Sequence, residues 1–143
     1  LIILLFFILL SCDFKPVLSK KNYNFSISTN KISGDPKINS IIINNFNKLK
    51  NNDKKYFVTL STKKQKNIIS KDSKGDPSIF ELIVNVDYSV EKEGKTIIKN
   101  KINRKTTYNN ISDKFELESY EKNIIENLSV NISDTIIFYI SEI

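Results

Sequence analysis

A chain of 143 residues, 40% hydrophobic and 27% charged, has room for one domain with one modest core. Its single cysteine excludes an internal disulfide, and the absence of histidine removes the commonest metal ligand and the commonest general base. The net charge of +6 is uneven, because residues 13–66 carry twelve lysines against Asp13, Asp35 and Asp53, while residues 67–143 carry ten Lys or Arg against thirteen acids. A basic half and an acidic half suggest a body with two differently charged faces. Part of the lysine, asparagine and isoleucine excess has the look of an AT-rich genome.

The chain opens on an apolar run that stops at Leu9-Leu10-Ser11-Cys12. A hydrophobic segment, a small residue and then a lone cysteine form the pattern of a bacterial lipoprotein signal. Residues 1–11 as a helix would reach roughly half of the ~30 Å hydrocarbon core, and Asp13, Lys15 and Pro16 bar any extension. A core or anchor helix is the alternative, but the run has no polar side. It lacks a basic n-region and opens on Leu1, as a trimmed chain or one read from an unusual start would. The expectation is therefore a signal peptide over 1–11, diacylglyceryl attachment at Cys12, and a lipidated tether over 12–22. Several acyl chains, at about 0.8 kcal/mol per buried CH₂, would make that anchor effectively permanent.

From Tyr23 the residues alternate, with Tyr23, Phe25 and Ile27 on one side, which predicts a half-buried strand. Ser33-Gly34-Asp35-Pro36 predicts a turn, an N-cap aspartate and a proline at the first helical position. Ile38, Ile42, Phe46 and Leu49 then recur at helical spacing, so Pro36 to about Lys50 reads as an amphipathic helix ended by Asn51-Asn52-Asp53. Tyr56, Val58 and Leu60 begin a second strand. Lys63 to Asp76 is polar and reads either as an extension of that strand or as a loop. Phe80, Leu82, Val84, Val86, Tyr88 and Val90 hold one face of a third strand without exception. Glu93-Gly94 predicts a hairpin turn, and Thr96 to Tyr108 returns as a fourth strand. Asp113, with Glu116 at the reciprocal position, caps a long helix from Ser112 to Ser141, although Thr135 to Ile140 is β-branched enough to be a strand instead.

The order β-α-β-β-β-α predicts an α+β fold over residues 23–143: a single four-stranded β-sheet with two α-helices packed on one face. No Gly-rich phosphate loop, nucleophile elbow or metal-ligand spacing is present. The acid pairs Glu91 with Glu93 and Glu116 with Glu118 fall at a turn and on a helix surface, where solvated charge is the plainer reading. The expectation is a protein that is not an enzyme and carries no cofactor beyond the acyl lipid on Cys12. Nucleic acid would be the default partner at pI 9.3, but a lipid signal directs the chain away from it.

The lipobox followed by Phe14-Lys15-Pro16, the element order, Ser78 to Tyr88 followed by Gly94, Lys105-Thr106-Thr107-Tyr108-Asn109, and a last helix carrying Phe115, Tyr120, Leu128, Ile132 and Tyr139 together resemble the lipopolysaccharide-assembly lipoprotein family, LptE. The resemblance spans nearly the whole chain. It implies a lipid-anchored α/β domain on the periplasmic side of the outer membrane, seated as a plug in the β-barrel LptD, supporting that barrel's assembly and the delivery of lipopolysaccharide. It also implies lipopolysaccharide binding, for which Lys92, Lys95, Lys99, Lys101, Arg104 and Lys105 are the candidate phosphate-pairing residues. Their alternative is an ordinary solvated sheet face. Asp13 departs from the pattern, since in some bacteria an aspartate after the acylated cysteine retains a lipoprotein in the inner membrane. The rival function is an unrelated lipoprotein acting as a binding or scaffold module, and a periplasmic hydrolase using Glu91 or Glu93 stands third.

Overall fold

The computed structural model describes residues 23–49 and 54–143. The signal peptide expected at 1–11, Cys12, the tether at 12–22, Lys50 and the helix-ending Asn51-Asn52-Asp53 lie outside the described residues. The elements are β1 (Ser26–Gly34), α1 (Pro36–Phe46), β2 (Lys55–Lys71), β3 (Pro77–Lys92), β4 (Lys95–Asn109) and α2 (Lys114–Ser141). This is the predicted α+β class in the predicted order. The strands lie side by side as β1-β2-β3-β4, with β1 parallel to β2 and the other pairs antiparallel. Parallel neighbours need a crossover between them, and α1 supplies it.

Alternation decides the sheet's inner face. Every second residue of β3 from Phe80 to Val90 is buried, and Tyr56, Val58 and Leu60 continue that face into β2. Ile38, Ile42 and Phe46 of α1 and Ile132, Ile136 and Ile140 of α2 close over it in one apolar cluster. At about 25 cal/mol per Å² of apolar surface removed from water, this cluster is the principal stabilising term.

Two boundaries differ from the sequence reading. β1 starts at Ser26 rather than Tyr23 and runs through Ser33 to Gly34, so Asp35 alone separates it from α1. The turn is that short because Gly34, at φ 94, lies against the backbone of Thr62, whose carbonyl also accepts a hydrogen bond from the Asp35 N–H at 3.3 Å. Helix α1 ends at Phe46, short of the expected Lys50, yet Leu49 still packs against the core. Asp35 caps α1 as predicted, its Oδ1 accepting from the N–H groups of Lys37 at 3.0 Å and Ile38 at 3.1 Å. Asp35→Ala is expected to lower stability by about 1 kcal/mol, read as a smaller urea midpoint at unchanged slope. An unchanged midpoint would mean the cap contributes nothing.

Of the two readings for Lys63 to Asp76, the strand is the one realised. β2 stays paired with β3 as far as Lys71 opposite Pro77. Asp72 then closes the turn, its carboxylate accepting from the N–H groups of Lys74 and Asp76, both at 2.9 Å. At the other end of the sheet, Glu93 at φ 50 and Gly94 at φ 75 form the two-residue turn between β3 and β4. Positive φ at both central positions matches the right-handed strand twist. Residues 135–140 are helical, since α2 runs unbroken to Ser141.

The molecule therefore has two ends. One gathers Tyr23, Lys54, Tyr56 and the last residues of α2 around a shared hollow, with Lys92 reaching over the Tyr56 ring. The other holds the Asp72–Asp76 turn and the β4–α2 connection, where the Asn110 N–H donates to the Ser78 carbonyl at 2.8 Å. No helix among the described residues is long and apolar enough to cross a membrane.

Candidate functional site

The six basic residues singled out in the sequence fall on or beside β4, and register decides what each can reach. Directly opposed residues of an antiparallel pair point to the same side of a sheet. Lys99, Lys101 and Lys105 stand opposite Ser89, Asp87 and Ile83, on the face turned away from the helices. Arg104 stands opposite buried Val84 and so points toward α2. There its Nε donates to Asn131 Oδ1 at 2.6 Å and its Nη2 to Thr135 Oγ1 at 3.2 Å. Lys92 and Lys95 flank the turn at the end of the sheet. The structure thus brings Lys99, Lys101 and Lys105 into one row, sets Lys92 and Lys95 at its end, and separates Arg104 from both.

Within the row the charges are partly matched. Lys101 Nζ lies 3.7 Å from Asp87 and Lys105 Nζ 3.0 Å from Glu81. The Lys105 ammonium, chiefly as a hydrogen-bond donor, holds the Glu81 carboxyl below its ordinary value of 4.5 against the opposing effect of desolvation, with the Asn67 hydrogen bond and then the lysine charge adding to it. Glu81 therefore supports the fold above that ordinary value, and the support is lost as pH falls through the lower folded one. Lys105→Ala is expected to let Glu81 titrate at higher pH, followed by carboxyl-carbon NMR. An unmoved titration would contradict the pairing. Lys95 and Lys99, among the described residues, have no acidic partner.

Between Lys99, Lys101 and β2 the outer face is shallowly hollowed, with a volume near 410 Å³ bounded also by Thr59, Ser61, Asp87 and Ser89. Small side chains on β2 and β3 make the floor low, and the lysines make its rim positive. Above it runs a row of amides in which Asn103 Nδ2 donates to Asn85 Oδ1 at 2.7 Å and Asn85 Nδ2 to Gln65 Oε1 at 3.1 Å. Sequence reading named the cations but not this floor. The signal was present: Thr59, Ser61 and Ser89 are all outward positions of their strands and all small.

A second concavity, of about 360 Å³, lies between the two helices and β2, lined by Lys37, Lys64, Phe115, Lys122 and Ile125 among others. Beside it Glu121 accepts from the Tyr108 hydroxyl at 2.7 Å and pairs with Lys66, whose ammonium sits 4.1 Å from the centre of the Phe80 ring. Burial, then the Glu121 carboxylate, pushes the Tyr108 hydroxyl well above its ordinary acidity range. This ties the start of α2 to the sheet.

The carboxylates considered for catalysis lie apart in character. Glu91 accepts a hydrogen bond from Asn30 at 3.2 Å, and Glu93 is exposed at the turn. Among the described residues no three of His, Cys, Asp and Glu gather as metal ligands would. The arrangement offers charged and polar surface for binding, supplied by fixed strands.

No protein-family model matches the chain, and no curated protein matches it. Solved structures do. The rare lipoprotein B of Shewanella oneidensis aligns with a TM-score of 0.60 over 80% of this chain and 95% of its own, at 14% identity. A minor lipoprotein of Acinetobacter baumannii gives 0.54 over 78% and 90%, at 12% identity. Lipoprotein B of Nitrosomonas europaea gives 0.56 over 81% and 84%, at 11% identity. Identities this low establish a common fold, and the fold is one these lipoproteins share nearly end to end.

Proposed function

We propose that this chain is an outer-membrane lipoprotein of the LptE kind, acylated at Cys12 and held on the periplasmic side, where its domain plugs the LptD barrel and takes part in lipopolysaccharide assembly. The observation that carries the reading is the coincidence of two independent ones: Leu9-Leu10-Ser11-Cys12 at the head of the chain, and a body whose fold matches lipoproteins over most of both lengths. The β-α-β-β-β-α order supports the same family resemblance. On this reading the protein acts by binding, with no catalysis and no cofactor besides its own lipid.

Purification of the tagged chain from detergent-solubilised envelopes is expected to bring a large outer-membrane β-barrel with it in equal amount. Recovery of the chain alone would overturn the barrel assignment and leave an anchored binding or scaffold module.

Lipopolysaccharide contact, on this reading, falls to the row of Lys99, Lys101 and Lys105, because charge-assisted contacts to phosphate need cations together on a reachable face. Lys92 and Lys95 lie at the end of the sheet, and Arg104 is held by α2. Serine at the three lysines of the row is expected to weaken lipopolysaccharide binding by about tenfold, on the order of 0.5 kcal/mol for each exposed pair. Arg104→Ser is expected to leave binding intact and lower stability instead. Unchanged binding in the triple variant would retire the surface.

A further inference from the structure

The structure has an end as well as faces, and the end carries its own charge. Tyr23, the first described residue, lies beside Lys54 in the hollow formed with the last residues of α2. Ser26, at the start of β1, pairs with Lys55 and donates its N–H to the Lys54 carbonyl at 2.8 Å. Lys92 and Lys95 face each other across the β3–β4 turn at this same end, and Lys48 follows the last turn of α1, which returns here from the middle of the sheet. Five lysines thus stand where the chain enters the domain. Glu91, Glu93 and Glu142 are the acids at this end among the described residues. Lys48, Lys54 and Lys95 are exposed and, among the described residues, make no ion pair.

We infer that this entry end is a docking surface for an anionic phospholipid membrane. The inference rests on the anchor half of the proposed function and not on the barrel. Residues 13–22 separate Cys12 from Tyr23, and ten residues reach at most about 35 Å fully extended. A lipid on Cys12 therefore keeps this end within reach of the bilayer surface at all times, while the Asp72–Asp76 turn is at the opposite end of strands 16 and 17 residues long. Lysines close to a negatively charged surface each favour contact by a factor of roughly five, and the attraction fades within a Debye length.

The test reconstitutes the acylated chain with vesicles of phosphatidylcholine alone or of phosphatidylcholine with phosphatidylglycerol, floats them, and acetylates accessible lysines before mass spectrometry. Docking predicts that Lys54, Lys55 and Lys92 react several-fold more slowly on the anionic vesicles than on the neutral ones, with Lys71 and Lys74 at the far end unchanged, and that added salt removes the difference. In the K48E/K54E/K95E variant the protection of Lys55 and Lys92 is expected to disappear while the variant still floats. Equal reactivity on both vesicles, with the chain still floating, would overturn docking and leave the anchor standing. A chain that fails to float with neutral vesicles would overturn the anchor, and docking would then stand or fall on retention by the anionic ones.

Discussion

Gly34→Ala is expected to lower stability by about 3 kcal/mol or more, one of the largest effects of any single methyl in this protein. The backbone at φ 94 already disfavours any side chain, at about 1–2 kcal/mol. The larger part is contact: an added Cβ would sit 1.8 Å from the Thr62 carbonyl oxygen and 2.7 Å from its carbon. Thr62 cannot retreat, because it is paired with Gly34 on one side and Val86 on the other. The strain must then be relieved by parting β1 from β2 or by displacing Asp35, the cap of α1. Gly94→Ala is the internal comparison, since φ is 75 there but nothing lies within 4 Å. Urea unfolding of both variants checks the argument, with Gly94→Ala expected to lose only the backbone share. Equal losses at the two positions would mean that the close approach to Thr62 carries no weight.

Ile136→Ala is expected to cost about 2–5 kcal/mol, the range for emptying a fully buried isoleucine site. Ile136 is 0% exposed and lies between Ile132 and Ile140, its neighbours one helical turn away, in the central cluster. Phe138, though larger, is 46% exposed and has the Tyr139 ring beside it, tilted by 58° at a centroid separation of 6.0 Å. Its replacement by alanine is expected to cost about 1 kcal/mol or less. A strand over this stretch would bury 136, 138 and 140 together and make the two losses alike. Similar midpoints for the two variants would therefore contradict the helix.

The same stretch explains how much of the fold could be read in advance. Period decides: Ile132, Ile136 and Ile140 keep a helical step that outweighs β-branched propensity once tertiary burial is available. β3 was legible because alternation over Phe80 to Val90 is unbroken, and the turn at Glu93-Gly94 because Gly94, between two alternating runs, supplies one of its two positive-φ positions. The far half of β2 was not, since from Lys63 to Lys71 it buries neither side and is held by backbone pairing and polar side-chain contacts such as Lys66 to Glu121, with Ile68 and Ile69 52% and 54% exposed. The β1–α1 junction was read with two turn residues too many, Ser33 and Gly34, because only the three-dimensional approach to Thr62 makes a one-residue connection workable. Arg104 was grouped with the lysines by charge, although the period of two that links Ile98 and Ile102 places it with them on the helix side. There Asn131 and Thr135 of α2 receive it, partners that lie 27 and 31 residues on and have no signature in sequence.

The proposed function depends on one sulfur atom, Cys12 Sγ, because it requires the domain to be fixed at a membrane. Cells grown with radiolabelled palmitate and carrying either the wild-type chain or Cys12→Ser give the direct measurement. The account predicts label on the wild-type protein and none on the variant, with the labelled protein recovered in the outer-membrane fraction. A wild-type chain that carries no label would contradict it.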